Sequence, residues 1–163
     1  MAVDLPFIGQ YDGGGIIAYI LMPGDPGYDA GQLHGLITTP DDVGTLISWG
    51  CNGVSIPGAD GTAIGTGNQN TIDIVSGCAT AQIAADRCSD LISGGFNDWY
   101  LPSKDELNKL YLNQNSISTF YPGFYWSSSE ISSTNAWTQD LSTGTQASQG
   151  KSTNFAVRAI RKF

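Results

Sequence analysis

The 163-residue chain has one histidine, three cysteines and only 13% charged side chains, and each shortage removes a class of function. His34 stands alone in the strand-like "LHGLI", where a structural ring is the better reading than a catalytic base, because a triad needs an orienting group and a nucleophile beside it. One His and three dispersed Cys do not assemble a zinc site. No serine lies within GxSxG. "GTQASQGKS", residues 144–152, looks like a phosphate loop and fails as one. Five residues separate its glycines, and the strand-like "NFAVRAIR" follows where a helix N-terminus is required. No EF-hand loop is present, although Asp and Asn are plentiful in loops, so the expectation is no cofactor, with structural calcium left open.

Bases are scarce too. Seven Lys and Arg against fifteen acids give a net charge of -8, which excludes a general nucleic-acid binder. Arg87 is the single base before residue 100, whereas Lys151, Arg158, Arg161 and Lys162 crowd the C-terminal end. That asymmetry reads either as a basic strip or, preferably, as an end strand with a solvated face. No window approaches about 18 consecutive apolar residues, and "MAVDLPFIGQ" has no basic or apolar leader region, so neither membrane insertion nor a Sec leader is expected. Cys51, Cys78 and Cys88 form no CxxC pair, and an odd count leaves at least one thiol unpaired. Residues 78 and 88 on one helix would stand about 15 Å apart by rise alone. A 51–78 or 51–88 bridge stays open, with burial as small apolar groups preferred.

What is present is glycine, 21 residues of it, within a chain that is 40% hydrophobic. "GGGIIAYIL", "HGLITT" and "TLISW" read as short strands, and the Gly- and Asn-rich stretch 50–70 as a long structured loop. From Thr71 on, Ile74, Cys78, Ala81, Ala85, Cys88 and Ile92 fall at three- and four-residue steps, which predicts one helix ending at Gly94-Gly95. Ser103 predicts the start of a second, running to about residue 113: its hydroxyl caps the Glu106 amide while the Glu106 carboxylate returns to the Ser103 amide. Three strands, "FYWSSSE", "NAWTQDLST" and "NFAVRAIRKF", follow with polar loops between them. The order of strands, two helices and strands gives an α+β chain, read as one domain over 1–163 with a short arm at 1–12.

"GGFNDWYLPSKDELNKLY", "YWSSSE", "AWTQDLSTG" and the terminal "VRAIR" together resemble the family typified by the C-terminal domain of the Legionella collagen-like protein. Upstream, "GLITTPDD", "SWGC" and "IGTGNQNT" also look familiar. The resemblance implies a C-type lectin-like fold, mixed antiparallel strands with two helices and long structured loops. It further implies a non-enzymatic module shown on surfaces: adhesins binding polysaccharide, and fibre or decoration proteins of bacterial viruses, often trimers. The leading expectation is a virion-surface protein, either capsid decoration or a head or tail fibre tip, forming a homotrimer with a capsid or tail partner. A bacterial surface adhesin that binds polysaccharide is the alternative, and a glycan-active enzyme the third. In that fold Trp99, Ser103, Glu106 and Trp126 are structural, and Arg158 is expected to pair with an interior carboxylate such as Glu130. Recognition is expected on the polar loops 131–136 and 142–154, at Ser132, Ser133, Thr134, Asn135, Gln146, Ser148 and Gln149, uncharged donors and acceptors suited to hydroxyl-rich ligands. Trp137 is the candidate aromatic face among them.

Overall fold

The structure, a computed structural model, describes residues 5–163; the first four residues of the expected arm lie outside the described residues. In chain order the elements are β1 (Tyr11–Asp12), β2 (Gly15–Ile20), β3 (Gly35–Thr38), β4 (Gly44–Ser48), α1 (Gly67–Gly77), α2 (Ala84–Ser89) and α3 (Lys104–Ile117). The strands β5 (Phe124–Glu130), β6 (Asn135–Asp140), β7 (Gln146–Gly150), β8 (Asn154–Val157) and β9 (Ile160–Lys162) complete them. They form two sheets, ordered β1-β2-β3-β9 and β4-β8-β5-β6-β7. All strand pairs are antiparallel except β5 with β8, where Tyr125 aligns with Ala156. This is a mixed α+β architecture.

Helix α3 lies between the sheets because its apolar residues serve both. Leu110 and Ile117 pack with Ala18, Tyr19 and Leu36 of the first sheet, and Leu107 packs with Tyr125 and Ala156 of the second. The largest cluster joins Ile17 and Ile37 to Trp49, Trp126 and Val157 across α1 and α2. Trp99, Leu101, Leu107 and Leu110 are all core. The α3 start follows its sequence: Ser103 Oγ accepts from the Glu106 amide at 3.3 Å and the Glu106 carboxylate accepts from the Ser103 amide at 2.9 Å.

Several sequence expectations are corrected. The helix predicted from Thr71 is two helices, so the described residues hold three. Cys78 leaves α1 in extended geometry, Gln82 turns at φ 63, and Asp86 Oδ2 accepts from the Ile83 amide at 3.3 Å to start α2. Ala81 is then exposed, and Ile92 is 77% exposed, outside the stripe the periodicity suggested. Cys78 is bonded to Cys51, so the preferred reading of three buried thiols holds only for Cys88. The loop 142–154 contains β7, and "NFAVRAIRKF" divides into β8 and β9 in different sheets.

The C-terminal bases form no basic strip, and of the four Lys162 alone is solvated. Lys151 and Arg158 are fully buried and Arg161 nearly so, each with a carboxylate partner. Arg158 pairs with Asp42 at 2.7 Å, not with Glu130. Its remaining donors meet the Thr39, Pro40 and Thr119 carbonyls and Ser118 Oγ, tying the end of α3 to the β3–β4 connection. Glu130 takes Lys151 instead, at 2.5 Å, because the β7–β8 turn brings that ammonium beside the end of β5.

Candidate functional site

The β5–β6 turn is a network of short polar side chains. Ser132 Oγ accepts from the Thr134 and Asn135 amides at 3.3 and 3.2 Å, and the Thr134 hydroxyl donates to Asn135 Oδ1 at 2.9 Å. Asn135 Nδ2 then donates to Ser148 Oγ on β7 at 3.0 Å, so the turn is locked to the edge strand of its sheet. Two more loops join this end. Lys151 N–H donates to the Thr134 carbonyl at 2.9 Å, and Gly53 N–H to the Ser133 carbonyl at 2.8 Å. Asn52, Ser132, Thr134, Ser148, Ser152 and Thr153 are exposed here.

Beneath that surface lies a buried ion pair. Lys151 Nζ donates to the Val54 carbonyl at 2.9 Å and lies 4.5 Å from the Trp49 ring centroid, while Glu130 accepts from the Ile56 amide at 3.0 Å. Both side chains are shielded from solvent. Their role is to hold the glycine-rich 52–58 stretch, which has no regular structure of its own, against the sheet.

Trp137 is half-buried on the face of β6 turned to α3, opposite Ser148 across the ladder. Lys104 Nζ lies 3.9 Å above its ring centroid. One indole face is therefore already occupied by a cation, which limits sugar stacking to what remains. Lys104 was missed as a site residue, yet it had a signal: it is a base in the first turn of a helix, where the dipole favours acids. Trp126 is fully buried, its indole N–H bonded to the Ile47 carbonyl at 2.9 Å.

The structure separates the two loops that the sequence put in one site. The turn at 131–134 opens β6 and the one at 142–145 closes it, with six residues of strand between them, about 20 Å of rise. Gln146, near the second turn, donates to the Lys104 carbonyl at 3.1 Å. Gln149 pairs with Ala136 and points to the face opposite Ser148. Ser132, Ser133, Thr134, Asn135 and Ser148 are brought together, with Trp137 beside them. The 52–54 and 151–153 loops complete the surface, and only their fold could add them.

Among the described residues no group of three His, Cys, Asp or Glu side chains stands close enough to hold a metal ion. Among the same residues no helix is long and apolar enough to cross a membrane. The family model of the Lcl C-terminal domain matches residues 39–161. The chain belongs to this family. Its Lcl C-terminal domain region holds α1 to α3, all five strands of the second sheet, and the polar loop end. A fimbrial protein from Bacteroides ovatus superposes with a TM-score of 0.55 at 16% identity, over 78% of this chain. The aligned part is 35% of that protein's length, and at this identity the likeness concerns fold alone. Compared with curated proteins, the chain has no match.

Proposed function

We propose that the chain is a non-enzymatic recognition module of a surface-displayed protein, and that it contacts hydroxyl-rich partners through the 52–54, 131–134 and 151–153 loops. The observation that carries this is the convergence of those loops into a rigid patch of hydroxyl and amide groups, locked by Asn135 to Ser148 and underpinned by Lys151 and Glu130. Such a patch has little rotamer freedom left to lose on binding. Membership of the Lcl C-terminal domain family and the likeness to a fimbrial protein agree with display on a surface. So does the C-type lectin-like reading, supported by α3 between two sheets and by β9 returning beside β3.

The Cys51–Cys78 bond favours an oxidising compartment, hence a bacterial or extracellular surface, over assembly in a reducing cytosol. Capsid decoration or a fibre tip on a virion is the same module on another carrier. What supports a non-enzymatic reading is that His34 Nδ1 meets the Phe163 carbonyl at 3.2 Å, with no Ser or Cys partner among the described residues. A homotrimer would raise the avidity of weak sites, and light scattering in solution reads it directly.

Binding to an array of bacterial and host polysaccharides, with product analysis of the bound glycans, tests the proposal. Retention of glycan that Ser148→Trp abolishes, with no new reducing ends, supports it. Release of cleaved product would make the chain an enzyme.

A further inference from the structure

A cavity of about 380 Å³ opens beside the four-stranded sheet, away from any residue of the loop surface, and His34 borders it. Its walls are apolar: Leu21, Leu36, Ile64 and Phe163, with Pro26 at the side. The volume is within the range of small-ligand sites, about 300–1,000 Å³. The walls are also fixed in advance. Asp25 Oδ2 accepts from the Tyr19 hydroxyl at 2.6 Å and from the Met22 amide at 2.8 Å, anchoring the turn that carries Pro26. Phe163 and Gly35 exchange two backbone hydrogen bonds of 3.2 Å, and the Phe163 ring lies where a side chain at Gly35 would collide with it. At Gly65, by contrast, an added Cβ would meet nothing within 4 Å.

Two polar side chains interrupt this apolar lining, Lys162 and His34. Lys151, Arg158 and Arg161 each have a carboxylate, and Lys104 and Lys109 each cover an aromatic ring. Lys162 has neither among the described residues. Its ammonium reaches only the Gly65 carbonyl, at 3.4 Å, and is exposed. In a chain of net charge -8, an unmatched cation at the mouth of an apolar cavity selects for an anion. His34 holds its ring by Nδ1, which faces the Phe163 carbonyl and so carries the hydrogen, leaving Nε2 as the other polar edge.

We propose that this cavity binds a small carboxylate with an apolar body, the carboxylate at Lys162 and the body against Leu21, Leu36, Ile64 and Phe163. A sugar would leave its hydroxyls facing four apolar side chains, and an organic cation would meet the ammonium.

The test is an amide-resolved NMR titration with 3-phenylpropionate and with its uncharged counterpart 3-phenylpropanol, on the chain, on Lys162→Met and on Leu21→Trp. Saturable shifts are expected for the acid at the Gly27, Gly35, Gly65 and Phe163 amides. Lys162→Met should weaken the acid about tenfold, as expected for losing one hydrogen bond to a charged group, and leave the alcohol unchanged. Leu21→Trp, which fills the cavity from its half-buried rim, should abolish both while the rest of the spectrum stays dispersed. Absence of saturable shifts at those amides up to millimolar acid overturns the proposal. So does equal affinity for acid and alcohol that ignores Lys162→Met. Neither result bears on the loop surface, which shares no residue with the cavity.

Discussion

Glu106 is fully buried, and three donors reach it: the Ser103 and Gly67 amides at 2.9 and 3.0 Å and the Tyr100 hydroxyl at 3.1 Å. Burial, with the carboxylate beside it, pushes the Tyr100 phenol far above its ordinary value. The Gly67 amide opens α1, so one side chain ties two helix starts together; any larger residue at Gly67 would strike the Glu106 carboxylate and the Leu101 carbonyl. Ser103→Ala should cost about 1–2 kcal/mol, the loss of a buried cap. Glu106→Ala should cost more, about 3 kcal/mol, since it strands three buried donors. Urea midpoints at unchanged m measure both. Asp98 gives the pH arm. Its hydrogen bonds to Arg161 at 2.7 and 3.0 Å outweigh partial burial and hold its carboxyl below the ordinary 3.8. A carboxylate depressed in the folded state contributes stability above its unfolded value and loses it as pH falls through the folded one. The melting curves of the chain and of Asp98→Asn should therefore differ at neutral pH and converge below pH 3.8.

At the scale of elements, the stretch from Gly50 to Thr66 is held by anchors outside itself. Cys51 bonds to Cys78 at the end of α1, across 27 residues, and Asn70 Nδ2 donates to the Gly61 carbonyl at 2.7 Å. Closing a loop of that length is worth about 3.5 kcal/mol in chain entropy, so mild reduction should lower the urea midpoint correspondingly without abolishing the folded state. Lys151→Met strands Glu130 and should cost about 3–5 kcal/mol, with amide exchange accelerating first at Val54 and Ile56; Lys151→Met with Glu130→Leu should recover part of the loss. These anchors also mark where the sequence could be read and where it could not. The α3 start was legible because a capping box is local: Ser103 and Glu106 are three residues apart. The helix predicted from Thr71 was misread because the features that end it, a bond to Cys51 and the left-handed turn at Gln82, leave no mark on hydrophobic period. β7 was hidden because Gln146–Gly150 carries no apolar alternation; its ladder with β6 makes it a strand. Ser132 to Asn135 were legible as a polar turn, but their neighbours at 52–54 and 151–153 are distant in sequence and join them only through packing.

For the whole molecule, the internal placement of Lys151, Arg158 and Arg161 changes what the surface offers. Three cations are spent on neighbouring carboxylates and backbone carbonyls, so the exterior is more uniformly acidic than the C-terminal run implied, and the proposed recognition rests on uncharged groups. Attachment should accordingly vary little between low and moderate salt, because exposed charges are not its source. Surface binding measured across that range would detect any hidden electrostatic partner.

Attachment and thermal unfolding, measured in parallel on two variants, test the division of labour between the polar loops and the α3 start. One variant has residues 131–134 and 151–153 exchanged for Gly-Ser sequences with Lys151 retained; the other is Ser103→Ala. A crossover is expected: the loop variant keeps its melting temperature within a few degrees and loses attachment, whereas Ser103→Ala loses stability and keeps attachment. Attachment that survives the loop exchange and disappears in a still-folded Ser103→Ala chain would contradict it.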